Sequence, residues 1–124
     1  MLDGAHVLIL EDEPIIALDL AATVEAAKGC VVGPAGTVAA ALDLLVDREV
    51  SGAILDANLP DGALTPVAIL LIERGIPVII FSAIGVPDEL RMLYPDVPVF
   101  QKPASSHRVV EGLVGIMIGR HPEG

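Results

Sequence analysis

Aromatic residues are nearly missing from this chain: two Phe, one Tyr and no Trp make up 2% of it. There is nothing to stack on nucleobases, and any core must be aliphatic. Basic residues are also scarce. Seven Lys and Arg stand against seventeen Asp and Glu, a formal net charge of -10 and an isoelectric point near 4.4. Nucleic-acid binding draws on Lys and Arg that displace counterions, so it is excluded as a function class. An acidic chain suits divalent cations or basic partner surfaces. A single cysteine rules out an intrachain disulfide, and nothing points to an oxidising compartment. Cys30 falls in an expected strand and reads as a small buried apolar residue. No apolar run reaches the ~20 residues that cross a bilayer. The N-terminus lacks the basic region of a secretory signal. No membrane partner is expected, and the cytoplasm is the expected address.

What is abundant is aliphatic. Hydrophobic residues make up 53% of 124 positions and the mean hydropathy is +0.70. Several elements should therefore be apolar on more than one face. The length suits one domain over residues 1–124 and a core without staples. Short apolar runs alternate with helical patterns. Strands are expected at His6–Leu10, Cys30–Val32, Ala53–Leu55, Pro77–Phe81 and Val97–Gln101. Helices are expected at Pro14–Lys28, from a Thr37 cap to Arg48, at Thr65–Arg74, over a short Asp88–Tyr94, and from Ser105 or Ser106 to Arg120. Gly33-Pro34-Ala35-Gly36 reads as a turn. Five strands alternating with five helices imply a parallel sheet covered on both faces. Ligands of such sheets sit beyond the carboxyl ends of the strands, where strand order reverses.

Polar residues stand at those ends. Strand one runs into Glu11-Asp12, strand three into Asp56, strand four into Ser82 and strand five into Lys102. Three carboxylates gathered at one edge repel each other. A hard cation offsets that, and Mg²⁺ (or Mn²⁺) accepts one or two carboxylates, a backbone carbonyl and a phosphate oxygen. Glu11, Asp12 and Asp56 supply carboxylates, and Asn58 a backbone carbonyl. The set suits phosphoryl transfer. Asp56 is the nucleophile, already ionised at pH 7. Lys102 and the cation neutralise phosphoryl charge, and the Ser82 hydroxyl bonds a phosphoryl oxygen. Each residue alone has a plainer reading: an acidic helix start, a turn Asp, a loop Ser, a solvated Lys. Their occurrence at successive strand ends, in order, favours the joint reading.

With these residues in view, the chain resembles the receiver domain of bacterial two-component response regulators. The resemblance rests on Val7-Leu8-Ile9-Leu10-Glu11-Asp12-Glu13-Pro14, Ile54-Leu55-Asp56-Ala57-Asn58-Leu59-Pro60-Asp61-Gly62, Pro77-Val78-Ile79-Ile80-Phe81-Ser82-Ala83 and Phe100-Gln101-Lys102-Pro103. It implies a stand-alone chemotaxis-receiver-like protein with a flavodoxin-like (βα)5 fold, a doubly wound parallel five-stranded sheet of order 2-1-3-4-5. It also implies a signalling phosphoacceptor rather than an enzyme, charged by a sensor histidine kinase or a histidine phosphotransfer protein. Asp56 is then the phosphoacceptor, Glu11 and Asp12 the acidic pair, Ser82 the switch hydroxyl and Lys102 the family's lysine, in a cis Lys102-Pro103 bond. Asn58 and Ile84, two past the acceptor and two past the hydroxyl, would set phosphoryl lifetime. Val99 replaces the family's aromatic three residues before the lysine, with Phe100 one place on, which leaves the aromatic switch open. The short segment from Ile84 to Tyr94 resembles a subgroup of alphaproteobacterial receivers altered after strand four.

The signal is expected to leave by contact with a downstream protein, unless the domain is a fragment of a larger hybrid kinase or regulator. In the last helix Val109, Val110, Leu113, Val114 and Met117 form a stripe that Ile116 and Ile118 widen. It reads as core packing or, more sharply, as a homodimer or partner surface. His6, His107 and His121 have no metal-ligand spacing. An aspartate-nucleophile Mg²⁺ phosphatase is the rival reading, but it usually needs an acid where Asn58 stands. A flavodoxin-like cofactor binder would need a Gly- or Ser-rich turn where Glu11-Asp12-Glu13 repels phosphate. A receiver-like scaffold that is never phosphorylated would not need the intact set.

Overall fold

The computed structural model describes residues 2–119. Elements alternate along the chain: β1 (His6–Leu10), α1 (Pro14–Ala26), β2 (Cys30–Ala35), α2 (Val38–Asp47), β3 (Gly52–Leu55), α3 (Thr65–Glu73), β4 (Val78–Ser82), α4 (Asp88–Leu93), β5 (Val99–Gln101) and α5 (Ser106–Gly119). The strands form one sheet in the order β2-β1-β3-β4-β5, and every pairing is parallel.

The continuous apolar strands follow from this architecture. Successive side chains of a strand point to opposite faces. Leu8, Leu10, Ala53, Leu55 and Ile80 pack toward α2, α3 and α4, against Ala41, Leu45, Val67, Leu71 and Leu90. Val7, Ile9, Ile54, Ile79 and Phe81 pack toward α1 and α5, against Leu20, Val24, Val109, Val110 and Leu113. A sheet covered on both faces needs both sets apolar. Among the described residues, no helix is long and apolar enough to cross a membrane.

The structure departs from the sequence reading at several places. β2 does not stop at Val32 but continues to Ala35, through the residues read as a turn. Gly33 adopts φ +96° and the Gly33-Pro34 bond is cis. Leu8 pairs with Val32 and Leu10 with Ala35, so β2 carries one extra residue there. Pro breaks a central strand, but β2 lies at the sheet edge, where a missing donor is tolerated. The edge position also corrects the reading of Cys30, which is exposed rather than buried. α1 ends at Ala26, before Lys28, because Lys28 takes a left-handed φ of +71° and the Gly29 N–H closes onto the Val24 carbonyl at 2.9 Å. Arg120 and His121 fall outside the described residues.

On α5, Val109, Val110 and Leu113 are buried, and Val114, Ile116 and Met117 pack against the same core. The stripe is thus largely core, and Ile118 stays exposed.

Candidate functional site

Strand order reverses between β1 and β3, and the carboxylates meet there. Asp56 follows β3 directly, and its N–H donates to the Leu10 carbonyl at 2.8 Å. Its side chain is buried, with Oδ1 accepting the Asn58 N–H at 3.1 Å. Glu11 is buried at the end of β1, whereas Asp12 is exposed. Glu11 Oε2 accepts the Glu13 N–H at 3.1 Å. Carboxylate oxygens of Glu11, Asp12, Glu13 and Asp56 lie within 4.8 Å of one another.

Among the described residues, one cation faces this cluster. Lys102 Nζ lies 2.9 Å from Glu11 Oε1, 3.1 Å from Glu13 Oε2 and 3.5 Å from Asp56 Oδ2. It also sits 5.4 Å from the Phe81 ring centroid, over an electron-rich face. The Lys102 backbone N–H donates to the Ser82 carbonyl at 3.0 Å, and the Lys102-Pro103 bond is cis, as expected. Ser82 is fully buried at the end of β4, where its Oγ accepts the Ile84 N–H at 3.0 Å. The hydroxyl hydrogen remains available to donate. Ile84 is exposed.

Burial pushes the Glu11 carboxyl up to about 7, against the Lys102 contact and the Glu13 N–H; Asp56 adds to the rise. Burial alone would lower the Lys102 ammonium, but Glu11 and Glu13 outweigh it and raise it. Glu11 Oε1 has the ammonium beside it, yet receives no properly directed hydrogen bond. An underserved buried oxygen among three further carboxylates is a donor set for a hard cation, because all its ligands are oxygens. Glu11, Asp12 and Asp56 could hold one.

The expected residues therefore converge. Asp56, Glu11, Asp12 and Lys102 gather at the carboxyl ends of the strands, and Ser82 is tied to Lys102 through the backbone. Asn58 is hydrogen-bonded to Asp56. Val99, at the place of the family's aromatic, is exposed on β5. Two contacts were not expected. Glu13, read only as part of an acidic helix start, pairs with Lys102. Asp61, in the loop after Asp56, reaches the start of α2 (Val38 N–H 2.8 Å, Ala39 N–H 3.1 Å). Those bonds hold its carboxyl below the usual range.

No family model matches the chain. A response regulator receiver protein from Sinorhizobium medicae WSM419 superposes with a TM-score of 0.81 over 98% of this chain and 100% of its own, at 21% identity, which shows the shared fold. SdrG from Sphingomonas melonis Fr1 is 34% identical with a TM-score of 0.77, and the match covers 95% of this chain and 99% of SdrG. The chain belongs to the receiver domains of response regulators. Among curated proteins it is similar to the phyllosphere-induced regulator PhyR of Methylorubrum extorquens, at 41% identity over 83 residues. That match covers 64% of this chain and 31% of PhyR, so the chain spans less than a third of that relative.

Proposed function

We propose that this chain accepts a phosphoryl group on Asp56 and passes the signal on by protein contact. The observation that supports this most is the Lys102 ammonium held within 3.5 Å of the buried Asp56 carboxylate, opposite the Glu11 and Asp12 carboxylates. A carboxylate oxygen of Asp56 forms the bond to phosphorus, while the bond to the nitrogen of a donor phosphohistidine breaks and that nitrogen keeps the electron pair. Lys102 exchanges its Glu13 contact for a phosphoryl oxygen. The Ser82 hydroxyl turns its free hydrogen to another. Glu11, Asp12, Asp56 and the Asn58 carbonyl would hold Mg²⁺ (or Mn²⁺). When bound, the cation offsets the negative charge of the transferring group.

The donor is a sensor histidine kinase or a histidine phosphotransfer protein, and the setting is the bacterial cytoplasm. The receiver of the signal is a downstream protein or, through the exposed edge of α5, a second copy. Incubation with acetyl phosphate and Mg²⁺, followed by intact mass, tests the reading. The protein should gain one phosphoryl group, and only with the cation present. Steady turnover of a phosphate ester without a stable adduct would instead support the phosphatase reading.

Two further results are expected. The first concerns pH. The folded Glu11 carboxyl holds its proton up to about 7 against an ordinary 4.5, so the stability this group contributes without metal is present at low pH and falls as pH rises between those values. Cation binding needs the ionised form. The rise in melting temperature on adding Mg²⁺ should therefore be larger at pH 8 than at pH 5, and an equal rise at both would count against Glu11 as a ligand. The second concerns Ile84, exposed beside the Ser82 hydroxyl. An apolar side chain there hinders an attacking water. Ile84→Glu should speed loss of phosphate several-fold in a decay time course; an unchanged rate would reject this role.

A further inference from the structure

The loop that follows the acceptor is anchored in an unusual way. Leu59 is buried in the core between the sheet and α2–α4. The Gly62 N–H closes onto the Leu59 carbonyl at 3.4 Å, which places Asp61 at the tip. From there Asp61 spans 22 and 23 residues of sequence to α2. Its Oδ1 accepts the Val38 N–H at 2.8 Å and its Oδ2 the Ala39 N–H at 3.1 Å. α2 already has its own cap, because Thr37 Oγ1 accepts the Ala40 N–H at 3.1 Å. One side-chain cap is what a helix start ordinarily draws on. The bidentate Asp61 contact is thus an additional tie between two loops.

That tie leads back to the carboxylates. The start of α2 follows the end of β2, where the Ala35 carbonyl takes the Glu11 N–H at 2.8 Å. Gly36 lies beside Asp12, where an added Cβ would make ordinary van der Waals contact with its Cα at 3.8 Å. On the other side, Asp61 is joined through the loop to Asn58, whose N–H bonds Asp56. The loops after β1, β2 and β3 therefore close into a ring around the carboxylate cluster, and Asp61 is the link between the second and third.

We infer that Asp61 is a positioning residue, which clamps the Asn58 loop against α2 and so sets the affinity of the carboxylate cluster for its divalent cation. The inference rests on the phosphoacceptor reading for the identity of the cluster. Residues that orient ligands from outside the coordination sphere shift metal affinity by roughly 10–100-fold when removed. Electrostatics agree: the carboxylate is held ionised by the two amides it accepts from.

The test uses the full chain, Mg²⁺ as the probe, and three variants. Asp61→Ala should raise the Mg²⁺ dissociation constant measured by titration calorimetry by about tenfold. In acetyl phosphate reactions it should raise the half-saturating Mg²⁺ in parallel, while the rate at saturating Mg²⁺ stays within about twofold of the wild type. Asp61→Asn, which keeps one acceptor oxygen, should fall between the two. Thr37→Ala removes the other cap from the same helix turn. It should lower the melting temperature to a similar degree yet leave the dissociation constant within about twofold of the wild type. If Asp61→Ala and Thr37→Ala lower the melting temperature and neither moves Mg²⁺ affinity, Asp61 is a helix cap only and the inference falls. Should both weaken Mg²⁺ binding equally, the effect belongs to α2 and not to the clamp, and it falls again. Calorimetry needs no phosphoryl transfer. A wild type that binds Mg²⁺ but takes no phosphoryl group would overturn the phosphoacceptor reading while leaving the clamp to be decided by the variants.

Discussion

Asp56→Asn should take up no phosphoryl group from acetyl phosphate in the presence of Mg²⁺, where the wild type gains one. The amide is close to isosteric, so the buried side chain keeps its room, and its oxygen can still accept the Asn58 N–H. What is lost is the ionised nucleophile and one negative charge facing Lys102. A neutral amide oxygen is a poor nucleophile toward phosphorus, and of the other carboxylates of the cluster only Glu11 is buried beside Lys102 at a strand end. Glu11 is engaged by Lys102 and the Glu13 N–H. Asp12 and Glu13 are exposed. Intact mass of the two proteins side by side reads the result. A wild-type-sized adduct on the variant would move the acceptor to another residue and undo the proposed role of Asp56.

Lys102→Met should cause a large loss of stability in the absence of metal. Methionine keeps much of the apolar stem against Phe81 but removes the only ammonium that the cluster contacts among the described residues. Breaking a buried ion pair from one side costs about 3–5 kcal/mol, because the remaining charge is left uncompensated. Here the penalty is softened by protonation, since Glu11 is already pushed up to about 7 and loses its main opposing contact. The cost should therefore be greater at pH 8 than at pH 6. Mg²⁺ should restore more stability to the variant than it adds to the wild type. Urea unfolding at both pH values, with and without Mg²⁺, measures all of this. A loss that is the same at both pH values and indifferent to Mg²⁺ would mean that packing, not charge, is what Lys102 contributes.

Much of the fold could be read in the residues because a two-sided parallel sheet leaves an unmistakable trace. Val7 to Leu10 and Val78 to Phe81 are apolar without alternation, which a sheet wet on one face would not permit. Once the strands were located, their polar final residues marked the site, since the topology brings those ends together whatever the intervening sequence. The misreadings share a cause, which is that edge position and long-range pairing have no local signature. Gly33 and Pro34 have the composition of a turn, and only the place of β2 at the rim lets a strand pass through them. Cys30 looked like core for the same reason. Asp61 sits in a Pro-Asp-Gly sequence that any loop could carry, and its partners lie more than twenty residues back. Glu13 reads as a helix-start charge until Lys102 arrives from 89 residues away.

The irregular course of β2 also bears on how the molecule behaves at high concentration. An open sheet rim is a template onto which another chain can add. Here the outer strand offers no continuous row of donors: Pro34 has none, and the extra residue at Gly33 and Pro34 throws the pairing out of step. At the opposite rim β5 is only three residues long. Both routes to sideways growth into fibres are thereby blunted, a safeguard for a chain so rich in Val, Ile and Leu.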